Sequence, residues 1–102
     1  MKIYNKLVRD KIPQIIKDNG EEPKLHTLNN REFFEELINK LHEETTEFEE
    51  AKNLDELADI IEVIYALAEV LGYQISDLEA ARITKAHKRG GFKQKIFLES
   101  VK

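Results

Sequence analysis

Apolar residues recur along most of this chain at helical spacing. Between Asn30 and Ala51, Phe34, Leu37, Ile38, Leu41, Thr45 and Phe48 fall at i, i+3, i+4 and i+7 intervals, which predicts an amphipathic helix. Asn53 is a suitable N-cap for a further helix over Leu54 to Leu71. Asp55 and Glu56 suit the positive end of its dipole, and Gly72 supplies a stop. Ser76-Asp77-Leu78-Glu79 has the form of a capping box and predicts a last helix running to Arg89, ended by Gly90-Gly91. A shorter first helix is expected from Asp10, as N-cap, to Asn19, with Pro13 in its first turn and Gly20 as its terminator. Residues 20–30 read as a loop in which Leu25 to Leu28 could be extended. Phe92 to Lys102 reads as a strand, a hook or a frayed tail.

The expected architecture is all-α, an antiparallel bundle of four helices. At 102 residues it forms one domain, residues 1–102, of a size that supports a hydrophobic core. The third helix complicates this. Leu57, Ile60, Ile61, Val63, Ile64, Leu67, Val70 and Leu71 surround it, leaving one polar sector with Asp55, Glu62 and Glu69. A helix apolar on nearly all sides needs cover on nearly all sides. A bundle of this size cannot provide it, so a homo-oligomer, dimer or tetramer, is expected to complete the domain.

Charge changes the picture more than overall composition does. The formal total is −4, mild enough to disfavour a binder of nucleic-acid polymers. By segment, residues 1–31 carry +3, 32–62 carry −10, 63–81 carry −3 and 82–102 carry +6. An acidic middle is thus flanked by basic ends. The absence of cysteine excludes disulfides, thiolate metal sites and thiol nucleophiles. The first residues lack the apolar core of a signal peptide, and Ile60 to Leu71 is too short and too acidic to span a bilayer, so a cytoplasmic protein without membrane partners is expected.

Within the acidic middle, Glu44 and Glu47 are one helical turn apart, and so are Glu56 and Asp59. Projection at 100° per residue places Glu44 about 50° from the centre of its apolar stripe, Glu47 on the same flank and Glu43 towards solvent. Glu56 falls inside the arc of Ile60, Val63 and Leu67, and Asp59 between the directions of Ala66 and Val70. Carboxylates in apolar arcs cost several kcal/mol each, in order of magnitude, unless compensated. Residues 41–62 contain one basic residue, Lys52. Four carboxylates on two facing helices offer an oxygen-only cage suited to Mg²⁺ or Mn²⁺ rather than Zn²⁺. Lys85, Lys88, Arg89, Lys93 and Lys95 surround Gly90-Gly91, where backbone can approach an anion closely. Together the cage and the basic ends point to a polyphosphate substrate. His26, His42 and His87 lie on separate elements and read as surface or capping residues.

Glu43-Glu44-x-x-Glu47 followed by Glu56-x-x-Asp59 resembles the all-α nucleoside triphosphate pyrophosphohydrolases, which include the MazG proteins, the dimeric dUTPases and phosphoribosyl-ATP pyrophosphohydrolase. The opening Tyr4-Asn5-Lys6-Leu7-Val8-Arg9-Asp10-Lys11-Ile12-Pro13 and the closing Arg89-Gly90-Gly91-Phe92 look like its MazG-like or phosphoribosyl-ATP pyrophosphohydrolase-like branch. Eight residues, Phe48 to Asp55, separate the acidic pairs, fewer than in typical MazG domains. The resemblance implies a Mg²⁺-dependent hydrolase that cuts between the α and β phosphates and releases a monophosphate and pyrophosphate. It implies Glu44, Glu47, Glu56 and Asp59 as metal ligands, with Glu43 supporting them or orienting water. Lys85, Lys88, Arg89 and Lys95 would hold the β and γ phosphates, and Lys6 and Arg9 would close the site from the N-terminal segment or from a neighbouring subunit. The expected role is house-cleaning of non-canonical or surplus (d)NTPs. Phosphoribosyl-ATP hydrolysis in histidine biosynthesis is the alternative substrate. A non-catalytic dimerisation module with an acidic face is the alternative class.

Overall fold

The computed structural model describes all of residues 1–102. It contains four helices and no strand: α1 (Ile12–Asp18), α2 (Asn30–Ala51), α3 (Leu54–Val70) and α4 (Ile75–Arg89). The chain is all-α, as its periodicity predicts. Neither Leu25–Leu28 nor Phe92–Lys102 takes up regular structure. The tail makes one turn, in which the Lys95 N–H donates to the Phe92 carbonyl at 3.1 Å. No helix is long and apolar enough to cross a membrane.

Local chemistry explains the helix ends. Asn29 caps α2: its side chain accepts from the Glu32 N–H at 2.9 Å, and the Glu32 carboxylate accepts from the Asn29 N–H at 3.2 Å. Asn53 caps α3 as expected, accepting from the Glu56 N–H at 3.0 Å. Two expected caps are displaced. Asp10 does not cap α1; Lys11 stands at that position without a side-chain cap. The helix entry is made instead by the Ile12 N–H, which donates to the Arg9 carbonyl at 3.1 Å. Ser76 does not cap α4; the N-cap is Gln74, two residues earlier, and the helix begins at Ile75. The Gln74 N–H donates to Asp77 at 2.9 Å, and Arg82 pairs with the Glu79 carboxylate that a Ser76 box would have used. Starting at Ile75 places Ile75 and Leu78 on one face, and these are the two partly covered residues of α4.

Lys52 and Asn53 join α2 to α3. Lys52 adopts the left-handed conformation (φ 52°), and its N–H donates to the Phe48 carbonyl at 2.8 Å. So short a connection folds the two helices into an antiparallel hairpin, the main packing unit of the chain. Beyond it, α4 packs against α3 alone, and α1 packs closely against no other helix. The buried residues, Leu37, Glu44, Val63 and Ala68, all belong to the hairpin.

One chain therefore does not build the core that its length allows. Its radius of gyration is 17.9 Å, against about 13 Å for a compact domain of this size. It exposes 9689 Å², where a compact monomer of its mass exposes about 6,000 Å². The third helix shows where the excess lies. Leu54, Leu57, Ile61 and Tyr65 form an exposed apolar line along α3, on a side that α2 does not cover.

Candidate metal centre

The hairpin turn decides which acids meet. Glu44 and Glu47 lie on the last turns of α2, and Glu56 and Asp59 on the first turns of α3. Antiparallel pairing sets these turns side by side. One carboxylate oxygen from each of the four residues lies within 4.8 Å of all the others. The N-terminus of α3 also opens here, and its positive dipole end favours negative charge.

Glu44 is more deeply placed than projection from the sequence suggests. It is 6% exposed, and with Leu37 it forms the buried line of α2. These residues are seven apart, which is two turns, so they share a direction. The stripe centre is displaced because α3 covers the Leu37–Glu44 line, whereas Ile38 and Thr45 stay exposed. Thr45 uses its hydroxyl within its own helix, donating to the Leu41 carbonyl at 2.7 Å.

Burial pushes the Glu44 carboxyl above the ordinary carboxylate range; Lys40 pulls the other way, and neighbouring Glu47 adds to the rise. Lys40 Nζ lies 3.3 Å from Glu44 Oε1 and 3.2 Å from Glu43 Oε2. Glu44 Oε2 has no hydrogen-bond partner, nor has Glu56 Oε2, and both atoms are buried. An unpartnered buried carboxylate oxygen is expensive. Two of them on facing helices, in an all-oxygen group, fit a hard divalent cation. Opposite oxygens around Mg²⁺ are about 4.2 Å apart, from metal–oxygen distances of about 2.1 Å, so the existing separations need little closure. The residues fit Mg²⁺ or Mn²⁺ on donor chemistry.

Glu43 lies outside the group of four. Half-buried, it is held between Lys6, at 2.7 Å, and Lys40. The hydrogen bond from Lys6, with help from Lys40, keeps its carboxyl below the ordinary range despite some burial. The same bond raises the Lys6 ammonium above its usual value. Arg9 Nη2 donates to Asp59 Oδ1 at 2.6 Å. Thus the segment before α1 reaches both helices of the hairpin through two basic side chains.

Lys40 is the residue that sequence reasoning missed. It lies one helical turn before Glu43 and Glu44, just outside residues 41–62, although its i+3 and i+4 spacing to two acids is a usable signal. Lys52, the base within that stretch, turns back on its own helix end and donates to the Glu49 carbonyl. The C-terminal bases are placed differently. Lys85, Lys88, Arg89, Lys93 and Lys95 are exposed and form no ion pair with any acid of the chain. Arg89, Gly90, Gly91, Lys93, Gln94 and Ile96 line a shallow concavity of about 310 Å³. His26, His42 and His87 are exposed and stand outside the carboxylate group.

No family model, no curated protein and no solved structure matches this chain.

Proposed function

We propose that this chain is a divalent-cation-dependent nucleoside triphosphate pyrophosphohydrolase, hydrolysing the α–β phosphoanhydride to a nucleoside monophosphate and pyrophosphate. Its substrates are non-canonical or surplus (d)NTPs. The observation that carries the reading is the pair of buried, unpartnered oxygens, Glu44 Oε2 and Glu56 Oε2, inside a group of four carboxylates. The sequence resemblance supplies the reaction class.

In this reading Glu44, Glu47, Glu56 and Asp59 hold the cation. Bound there, Mg²⁺ or Mn²⁺ neutralises phosphate charge and makes a bound water more acidic. Lys40 takes one oxygen of Glu44 and so leaves the other turned into the cluster. Glu43 keeps Lys40 and Lys6 in place. Lys6 and Arg9 supply positive charge at the rim, and Lys85, Lys88, Arg89 and Lys95 bind the β and γ phosphates. The chain works as a homo-oligomer that covers the Leu54–Leu57–Ile61–Tyr65 line. The excess exposed surface of about 3,700 Å² is comparable to what an obligate interface buries.

The test is incubation with Mg²⁺ and a panel of nucleoside triphosphates and phosphoribosyl-ATP, with the phosphate products resolved. Monophosphate and pyrophosphate in equal amounts are expected. Orthophosphate as sole product, or no turnover of any member, contradicts the proposal. Turnover of phosphoribosyl-ATP alone keeps the bond cleaved and reassigns the substrate.

A further inference from the structure

The carboxylate group has two basic partners of unlike character. Lys40 belongs to α2, one turn from the acids it touches, and its side chain is 16% exposed. Helix and burial hold it there. Arg9 belongs to the non-helical segment before α1, and its side chain is 55% exposed. Asp59, its partner, is also the most open to solvent of the acids in ion pairs at this site, at 36%. A pair so exposed is weak, and its arginine is free to leave without unfolding anything.

Asp59 is claimed twice. It takes the Arg9 guanidinium at 2.6 Å, and it is one of the four carboxylates close enough to share a cation. A divalent cation and a guanidinium on one small carboxylate repel each other. A released Arg9 remains within reach of the site, because Lys6, three residues earlier, is anchored separately on Glu43. Its planar fork suits phosphate oxygens.

Building on the pyrophosphohydrolase reading, we propose that Arg9 is an exchangeable counter-ion: it yields Asp59 to the divalent cation and passes to a phosphate group of the phosphoanhydride that the cation carries. The N-terminal segment is then a sensor of site occupancy as well as a rim. Arg9 is a substrate-contacting residue, and its two partners are mutually exclusive.

The exchange predicts effects of opposite sign, which a simple tether does not. The full chain is titrated calorimetrically with Mn²⁺ alone, then with inorganic pyrophosphate at saturating Mn²⁺. Arg9→Ala is expected to bind Mn²⁺ about two- to fivefold tighter, because a competing cation is gone. The same variant is expected to bind pyrophosphate about tenfold more weakly, because a charged hydrogen-bond donor is lost. Arg9→Lys keeps the charge without the fork and falls between wild type and Arg9→Ala in both titrations. Lys17→Ala controls for net charge and moves neither. If Arg9→Ala binds Mn²⁺ equally or less well, or leaves pyrophosphate affinity unchanged, the exchange is wrong. If the wild-type chain binds no Mn²⁺, the metal centre itself is wrong, which is a different failure.

Discussion

The α2–α3 hairpin and the segment from α4 to the C-terminus are both rich in charge, of opposite sign, and meet opposite fates. In the hairpin, a two-residue connection fixes two helices against each other, and burial forces a decision on every polar group. Lys40 is drawn in, and two buried carboxylate oxygens, one on each helix, are left without hydrogen-bond partners. In α4, only Ile75 and Leu78 are partly covered, and everything from Glu79 to Lys102 is exposed. Arg82 pairs with Glu79 on its own exposed surface, and the bases from Lys85 onward form no ion pair with any acid of the chain. The comparison teaches that charge density alone does not make a site. Charge becomes specific where packing removes water, and the acids have that packing within one chain while the bases do not.

Leu37→Ala tests the packed half most severely. Leu37 is 3% exposed, and such a truncation costs about 2–5 kcal/mol. The expected outcome is loss of cooperative thermal unfolding or a large fall in its midpoint. Metal affinity separates the halves next. Glu56→Gln should weaken Mn²⁺ binding at least about tenfold, whereas deleting residues 92–102 should change it less than twofold, about 0.4 kcal/mol. The deletion should instead lower nucleotide turnover. Mn²⁺ titration of both variants, with a turnover assay on the deletion, checks this. If the deletion abolishes Mn²⁺ binding, the tail belongs to the metal site and the comparison collapses.

Glu44→Gln sharpens the point about burial. Its carboxyl is raised mainly by desolvation, so the charged form opposes folding at neutral pH. In EDTA the variant should melt at a higher temperature than wild type, while losing its response to Mg²⁺. Asn53→Ala removes the cap that seats Glu56 and should cost about 1 kcal/mol, read by denaturant titration. Glu79→Ala, in the fully exposed pair with Arg82 on α4, should leave the melting midpoint unchanged.

The fold was legible where local signals and packing agree. The Phe34–Phe48 periodicity and the Asn53 cap set α2, the start of α3 and the turn between them. From that turn follows the meeting of Glu44, Glu47, Glu56 and Asp59. Other features depended on partners distant in sequence. The true stripe of α2 runs through Leu37 and Glu44 because α3 covers that side, and no projection of α2 alone reveals which side is covered. Ser76 matched a capping motif, but Ile75 and Leu78 had to face α3, so the helix began at Ile75. Arg9 and Asp59 are fifty residues apart, and nothing local pairs them. The core that chain length allows is likewise not realised in one chain, because the apolar line on α3 has no neighbour there.

The most direct test of the central claim is the melting temperature of the full chain as a function of Mg²⁺ concentration, for wild type and Glu56→Gln. A cation held only by the folded hairpin stabilises it in proportion to the logarithm of its concentration, by about 2.7 kcal/mol at a hundred times the dissociation constant. The account predicts a continuing rise for wild type and a flat line for Glu56→Gln. A flat line for wild type, or the same rise in both, would contradict it.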